Sequence, residues 1–293
     1  MTAIEHQLRS RDGRTLQVFD VGGRSDPVVV YHHGTPGTGT VDPPAVTDAR
    51  ERRLRLVSYD RPGYGRSTRQ PGRSFADAAE DVEAIADQLG IDRFATYGHS
   101  GGGPHALATA ALLPERVAAC ISSAGPAPFH ADGLDWAAGT GDLNVEEIAV
   151  AAEGFHALHS YLEAQADGMR SAPPAEVKRE LATLLAPVDR EVFTDEVAER
   201  FHRNLVYALV PGVDGYTDET LATYGPWGFE LAEIIPPTQI WHGQHDRFVP
   251  VSHAHWLAEH VAGAELHVLP DDGHVSLIAR HVGHMHAWLA EHL

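Results

Sequence analysis

Short runs rich in apolar and β-branched residues alternate along the chain with longer stretches in which apolar residues return every three or four positions. The runs at 15–22, 27–34, 54–60, 93–98, 116–125, 237–243 and 264–270 have the length and composition of buried strands. Between them, Phe75, Ala78, Val82, Ile85 and Leu89 recur at helical spacing, in a segment that opens on Ser74 with Asp77 three residues on and stops at Gly90. Ile278, Val282, Met285 and Leu289 predict an amphipathic C-terminal helix. Alternation of this kind predicts an α/β fold, a mostly parallel sheet with helices on both faces. Ligands of such sheets sit beyond the carboxyl ends of the strands.

The alternation breaks between about 127 and 228. Here the pattern predicts helices at 144–170, 173–186 and 194–210, punctuated by Pro173-Pro174 and Pro211-Gly212. The domain reading is therefore a core of residues 1–126 and 229–293 with a helical cap at 127–228. Residues 129–225 hold 18 acidic and 6 basic side chains, a large share of the chain's net charge of −19. A solvated outer face of the insertion accounts for this surplus; a cleft that attracts cations is the sharper alternative.

Charge and composition narrow the partners to a small-molecule substrate. A strongly acidic chain without Lys/Arg clusters is a poor fit to nucleic acid or an anionic membrane. The N-terminal residues have no apolar signal-peptide core, and no run reaches the length of a membrane span, so the expected location is cytoplasmic. The lone cysteine, Cys120, sits in an apolar strand pattern and reads as a small buried hydrophobe. The 20 histidines raise the question of a metal. No HExxH and no cysteine pair is present, and surface positions account for the groups His253/His255/His260 and His281/His284/His286, so no metal is expected. The C-terminal helix leaves both a monomer and a homodimer open.

The chemistry concentrates in Gly98-His99-Ser100-Gly101-Gly102, a G-x-S-x-G placed where a strand ends and a helix begins. Such a turn lifts the Ser100 hydroxyl above the sheet. The Gly101 N–H is left free at a helix start that favours negative charge. Pro104 falls in the helix's first turn, where a missing N–H costs little. A serine nucleophile needs a base, and the base needs an orienting carboxylate. Asp246 follows the strand at 237–243 and His274 follows the strand at 264–270, which places Ser100, Asp246 and His274 each just beyond a different strand, in the chain order of one triad fold. Asp271 and Asp272 are rival acids, but in His274's own loop a turn or helix-capping role suits them better. The N–H of Thr35, with Gly34 before it giving close backbone approach, is the second candidate oxyanion donor beside Gly101.

With these motifs, residues 10–126 and 229–293 resemble the α/β-hydrolase family. The residues that carry the resemblance are Gly98 to Gly102, His33-Gly34, Asp60 to Ser67 ("DRPGYGRS"), Asp246 and Asp272 to His274. The resemblance implies an eight-stranded, mostly parallel sheet, a cap over the active site and no cofactor. The ordered constellation of Ser100, Asp246 and His274 predicts a carboxylesterase-like serine hydrolase acting through an acyl-enzyme on a small or medium ester, lactone or related carbonyl substrate. Ser100 distinguishes the chain from the epoxide hydrolases and haloalkane dehalogenases of this fold, which use an aspartate nucleophile. "HGTPG" looks like the "HGGPG" of proline iminopeptidases, although His99 and Gly101 depart from their elbow. An aminopeptidase, a C–C bond hydrolase, a lyase or a secondary-metabolite tailoring enzyme stay open as alternatives. Phe129, Trp136, Tyr216, Tyr224, Trp227 and Phe248 are candidate substrate-lining residues, with a place in the core of the insertion as the other reading of each.

Overall fold

The computed structural model describes residues 3–293, apart from the side chains of residues 174 and 175. In chain order the elements are β1 (Ile4–Arg9), β2 (Thr15–Val21), β3 (Val28–His32), α1 (Pro43–Glu51), β4 (Arg55–Tyr59), α2 (Asp77–Leu89), β5 (Phe94–His99), α3 (Gly102–Leu112) and β6 (Val117–Ser123). The insertion carries α4 (Asp142–Ala151), α5 (Phe155–Ser171), α6 (Pro174–Glu180), α7 (Pro187–Val192), α8 (Asp195–Ala208) and α9 (Asp214–Tyr224). The chain then returns through β7 (Thr238–Gly243), α10 (Ser252–His260), β8 (Glu265–Leu269) and α11 (His274–Glu291).

The eight strands form one sheet in the order β1-β2-β4-β3-β5-β6-β7-β8. Only β2 runs against its neighbours; β4 through β8 pair in parallel. The strand period of two divides the core into two layers. Val28, Val30, Phe94, Cys120 and Ile240 face α2, α3 and α10, while Val29, Ala95, Tyr97, Ile121 and Trp241 face α1 and α11. Cys120 is fully buried in the first layer, where burial pushes its thiol pKa up and leaves it inert. Among the described residues, no helix is long and apolar enough to cross a membrane.

Several elements differ from the pattern-based expectation. β1 carries no strong apolar run because it is an exposed edge strand; Ile4 is 57% exposed. The segment at 144–170 is two helices, broken at Gly154, whose φ of 96° lies in the left-handed region. Helix α9 has no helical apolar stripe, since what it buries is polar: Thr217, Asp218, Glu219 and Thr220. At α2, the Asp77 carboxylate accepts both the N–H and the hydroxyl of Ser74 at 2.7 and 2.9 Å, and the helix itself starts at Asp77.

Candidate active site

Ser100 occupies the turn between β5 and α3 with φ of 56°, a left-handed conformation that costs a non-glycine residue about 1–3 kcal/mol. Two backbone bonds hold it there. Ser100 N–H donates to Ser123 O at 2.8 Å, and Gly103 N–H donates to Ser100 O at 2.8 Å. The flanking glycines permit the close packing that the turn needs. A Cβ at Gly98 would collide with the Gly102 carbonyl, and one at Gly102 with the His32 carbonyl.

The loops after β7 and β8 meet beside this turn. His274 Nδ1 lies 2.7 Å from Asp246 Oδ2. The other carboxylate oxygen, Oδ1, accepts the N–H groups of Phe248 and Val249 at 2.8 and 2.9 Å, which fixes its plane. His242 Nε2 stands 3.4 Å from Asp246 Oδ2. Burial alone would raise the Asp246 pKa, but the charge of His274 and hydrogen bonds from His242 and His274 hold it well below the usual carboxylate range. Burial pulls the His274 pKa down, and the Asp246 charge and hydrogen bond more than reverse this, so the net shift is upward. The imidazole is sandwiched by rings: Phe248 stacks on it at 4.5 Å and His99 lies 4.9 Å away. His99 itself is held far from protonation, its pKa lowered to about 3 by burial and by His274.

Gly34, Thr35 and Gly101 converge on Ser100 from the other side. A Cβ at Gly34 would stand 3.4 Å from Ser100 Cβ, and one at Gly101 would strike Thr35 Oγ1. Among the described residues, the backbone N–H groups of Thr35 and Gly101 have no intramolecular acceptor. Ser100, His274, Gly34 and Thr35 share one cavity of about 340 Å³ under the helical insertion, walled there by Leu162, Leu185, Phe193, Phe201 and Leu205. Arg200 is the one Lys or Arg among its described lining residues, and it pairs with Glu196 at 2.9 Å and Asp42 at 3.7 Å. Asp42 and Glu147 line the same space. No group of three or more His, Cys, Asp or Glu among the described residues is arranged to hold a metal ion.

Of the six aromatic residues expected to line the pocket, Tyr216 and Phe248 do. Phe129, Trp136 and Tyr224 do not. Their rings pack on one another at 5.0–5.5 Å, and Trp136 Nε1 donates to Ala127 O, so this trio satisfies itself. Trp227 is buried in the core against Phe75. The acids at 271 and 272 do not cap α11. Asp272 pairs with Arg280 and His281, and the helix start is bound by Asp189 from α7. Asp189, Asp218 and Glu219 are buried, so part of the insertion's acidic surplus points inward rather than to solvent. Asp189 and Glu219 escaped the sequence reading, and His33 and Arg61 stood in its motifs without a role. Arg61 had a visible signal, since it lies in the DRPGYGRS motif; Asp189 and Glu219 sit in segments with no motif at all.

The sequence profile described as the alpha/beta hydrolase fold matches residues 27–280. The chain belongs to this family. Relatives of this α/β hydrolase include a 2-hydroxy-6-oxononadienedioate/2-hydroxy-6-oxononatrienedioate hydrolase of Klebsiella pneumoniae, 30% identical, with 89% of this chain and 86% of the relative covered. Among solved structures, an esterase from Exiguobacterium antarcticum superposes with a TM-score of 0.73 at 22% identity, covering 98% of this chain and 99% of that one. The enol-lactonase from Burkholderia xenovorans gives 0.69 at 20% identity, covering 96% and 97%. At these identities the two solved structures show that this α/β hydrolase shares their fold.

Proposed function

We propose that the protein is a serine hydrolase that transfers the acyl group of a small or medium, uncharged ester or lactone to water. The observation that carries the reading is the 2.7 Å contact of His274 Nδ1 with Asp246 in a cavity that also holds Ser100 on its positive-φ turn. Asp246 accepts at Nδ1 and so leaves Nε2 of the neutral ring free as a base. His274 takes the Ser100 Oγ proton as Oγ bonds to the carbonyl carbon. The tetrahedral oxyanion is held by the N–H groups of Thr35 and Gly101. Collapse breaks the bond to the leaving oxygen, which receives the proton from His274. Water then repeats the sequence: His274 takes its proton, the hydroxide adds to the acyl carbon, and Ser100 leaves with the proton returned. The helical insertion acts as a cap that keeps the acyl-enzyme away from bulk solvent.

The test is Ser100→Ala together with labelling by a fluorophosphonate. The reading expects labelling at Ser100 and a loss of several orders of magnitude in turnover of p-nitrophenyl esters, with the fold intact. A fully active Ser100→Ala variant would overturn it.

The similarity to the Klebsiella hydrolase favours a second reading, C–C bond hydrolysis of a vinylogous ketone by the same three residues. The lining argues against a doubly anionic substrate, because the described lining residues hold one Arg, Arg200, whose Nη1 Glu196 binds, and two acids, Asp42 and Glu147, share the wall. Turnover of a 2-hydroxy-6-oxo-dienoate with no turnover of esters would decide for the second reading.

A further inference from the structure

Beneath the loop that follows β3 lies a fully buried ionic cluster with no part in the chemistry derived so far. Glu219, reaching down from α9, and Arg61, in the loop after β4, are both 0% exposed. Arg61 Nη2 is 2.9 Å from Glu219 Oε1, and Arg61 Nε is 3.2 Å from Oε2. Arg73 bonds Oε2 as well, and His105 Nε2 lies 2.7 Å from Oε1. Burial pushes the His105 pKa down to about 4, so the imidazole is neutral. Two guanidinium groups therefore face one carboxylate, and one buried positive charge is left over.

The Arg61 guanidinium is aimed at two consecutive peptide carbonyls and a hydroxyl. Arg61 Nη1 donates to His33 O, and Nη2 donates to Gly34 O at 3.1 Å and to Thr35 Oγ1 at 3.0 Å. His33 Nε2 accepts the Arg61 backbone N–H at 3.2 Å, which assigns the ring proton to Nδ1; Nδ1 donates to the same Gly34 O at 2.7 Å. The carbonyl of the Gly34–Thr35 peptide thus accepts two donors, one of them cationic. The N–H of that peptide belongs to Thr35. Hydrogen bonds in a chain polarise one another, so a carbonyl bound by a guanidinium makes its own N–H a stronger donor. Thr35 Oγ1 closes the circuit by donating to Glu219 Oε1 at 3.2 Å.

We propose that Arg61, clamped by Glu219 of the insertion, is a positioning residue that orients and polarises the Gly34–Thr35 peptide so that Thr35 N–H binds the oxyanion. The inference rests on the acyl-transfer reading above. It adds a route by which the insertion supports the chemical step without touching the substrate: α9 holds Glu219, Glu219 holds Arg61, and Arg61 holds the donor peptide.

The test is Arg61→Met, which removes the charge and keeps the bulk. Glu219 keeps Arg73 as its counter-ion, so no buried charge is stranded. The readouts are kcat and KM for p-nitrophenyl butyrate, and the affinity of an aryl trifluoromethyl ketone, whose adduct with Ser100 carries the oxyanion. A weakened oxyanion donor predicts a fall in kcat of about 10–100-fold, KM within about threefold of wild type, and a loss of ketone affinity by the same factor as kcat/KM. Arg61→Lys should fall between the two, because an ammonium cannot reach all these acceptors at once. A purely structural role would lower the thermal midpoint and leave ketone affinity level with KM. A folded Arg61→Met enzyme with unchanged kcat, or one that loses kcat while binding the ketone as before, overturns the proposal. If Arg61→Met does not fold, Thr35→Val severs the Oγ1 link and leaves every buried charge in place. It should lose about 2–10-fold in both readouts, with Thr35→Ser restoring them; no loss in either overturns the proposal. Fluorophosphonate labelling separates the two levels. Labelled Ser100 with an unaffected Arg61→Met variant sinks this inference alone, whereas unlabelled Ser100 and an active Ser100→Ala variant sink the acyl-transfer reading and this inference with it.

Discussion

The backbone N–H of His274 donates to Asp189 Oδ2 at 3.0 Å, across the boundary between α11 and the helical insertion. Asp189 Oδ1 also accepts the N–H groups of Val275 and Ser276 and the Ser276 hydroxyl, each at 2.9 Å. A carboxylate of the insertion thus satisfies the N-terminal donors of the helix that carries the proposed base. It adds a favourable charge at the positive end of that helix. Asp189→Ala strands the N–H groups of His274, Val275 and Ser276, and the expected cost is about 2–4 kcal/mol of stability. Activity should fall further than the folded fraction does, because His274 is the first residue of the released turn. Asp189→Asn, which keeps an acceptor, should be milder in both. Thermal melts and kcat on one preparation check this; equal activity per folded molecule in Asp189→Ala would disconnect Asp189 from His274.

The opposed pKa shifts of His274 and Asp246 set the pH behaviour. The proposed base His274 would work unprotonated, and its pKa is raised above the ordinary value of about 6.5. The acid limb of kcat/KM should therefore be centred above 6.5. The stability from the pair follows by linkage. The contribution of His274 is fully present below its unfolded pKa and fades as pH rises through its raised folded value. The contribution of Asp246 is present above its unfolded pKa and is lost as pH falls through its depressed folded value. Asp246→Asn removes the orienting charge, so kcat should drop by about four orders of magnitude, and the remaining acid limb should move to lower pH. A pH profile of the variant superposable on wild type would detach Asp246 from the titrating group.

The division of the six aromatic candidates makes a substrate-length prediction. Phe201 lines the cavity, and Phe129 is spent on Trp136 and Tyr224. Phe201→Trp should cut kcat/KM for octanoate relative to acetate p-nitrophenyl esters by about tenfold, since the added ring occupies acyl space. Phe129→Ala should cost about 2 kcal/mol of stability and leave that ratio alone. A changed chain-length ratio in Phe129→Ala would put the aromatic trio back in the binding surface.

What could be read from the chain follows a physical division. The central strands were legible because they are buried on both faces and spell near-continuous β-branched runs, such as Val28 to Val30. Ser100, Asp246 and His274 were legible because position relative to strand ends is visible in sequence. β1 was not, since an exposed edge strand has no apolar signature. α9 was not, because Asp218 and Glu219 are buried against Arg69, Arg61 and Arg73 from distant parts of the chain, and hydrophobic periodicity is blind to buried ion pairs. The same blindness hid Asp189, whose three N–H partners lie more than 80 residues downstream. Pattern finds residues that act through position in one element; it misses those that act through a partner supplied by another.

The charge of the cavity wall leads to the prediction that best separates the two readings of the reaction. Arg200 is the one guanidinium among the described lining residues; Glu196 binds its Nη1 at 2.9 Å and Asp42 stands 3.7 Å from its Nε, so an incoming carboxylate competes with two acids for a single cation. Glu147 faces the same space with the Tyr216 hydroxyl donating to it at 2.9 Å, and burial raises its pKa above the usual carboxylate range. Above that value the wall is anionic, and a like charge on the substrate has to be desolvated beside it. The p-nitrophenyl ester of succinic acid should therefore have kcat/KM about 10–100-fold below that of the butyrate ester of equal length, mostly through KM. The handicap should shrink as pH falls and Glu147 takes up its proton, and Glu147→Gln should remove that pH dependence. Steady-state kinetics on the two esters at pH 6 and 8 check this. Equal turnover of both at pH 8 would mean that the wall accommodates a carboxylate, and would move the balance toward a dianionic substrate like that of the Klebsiella relative.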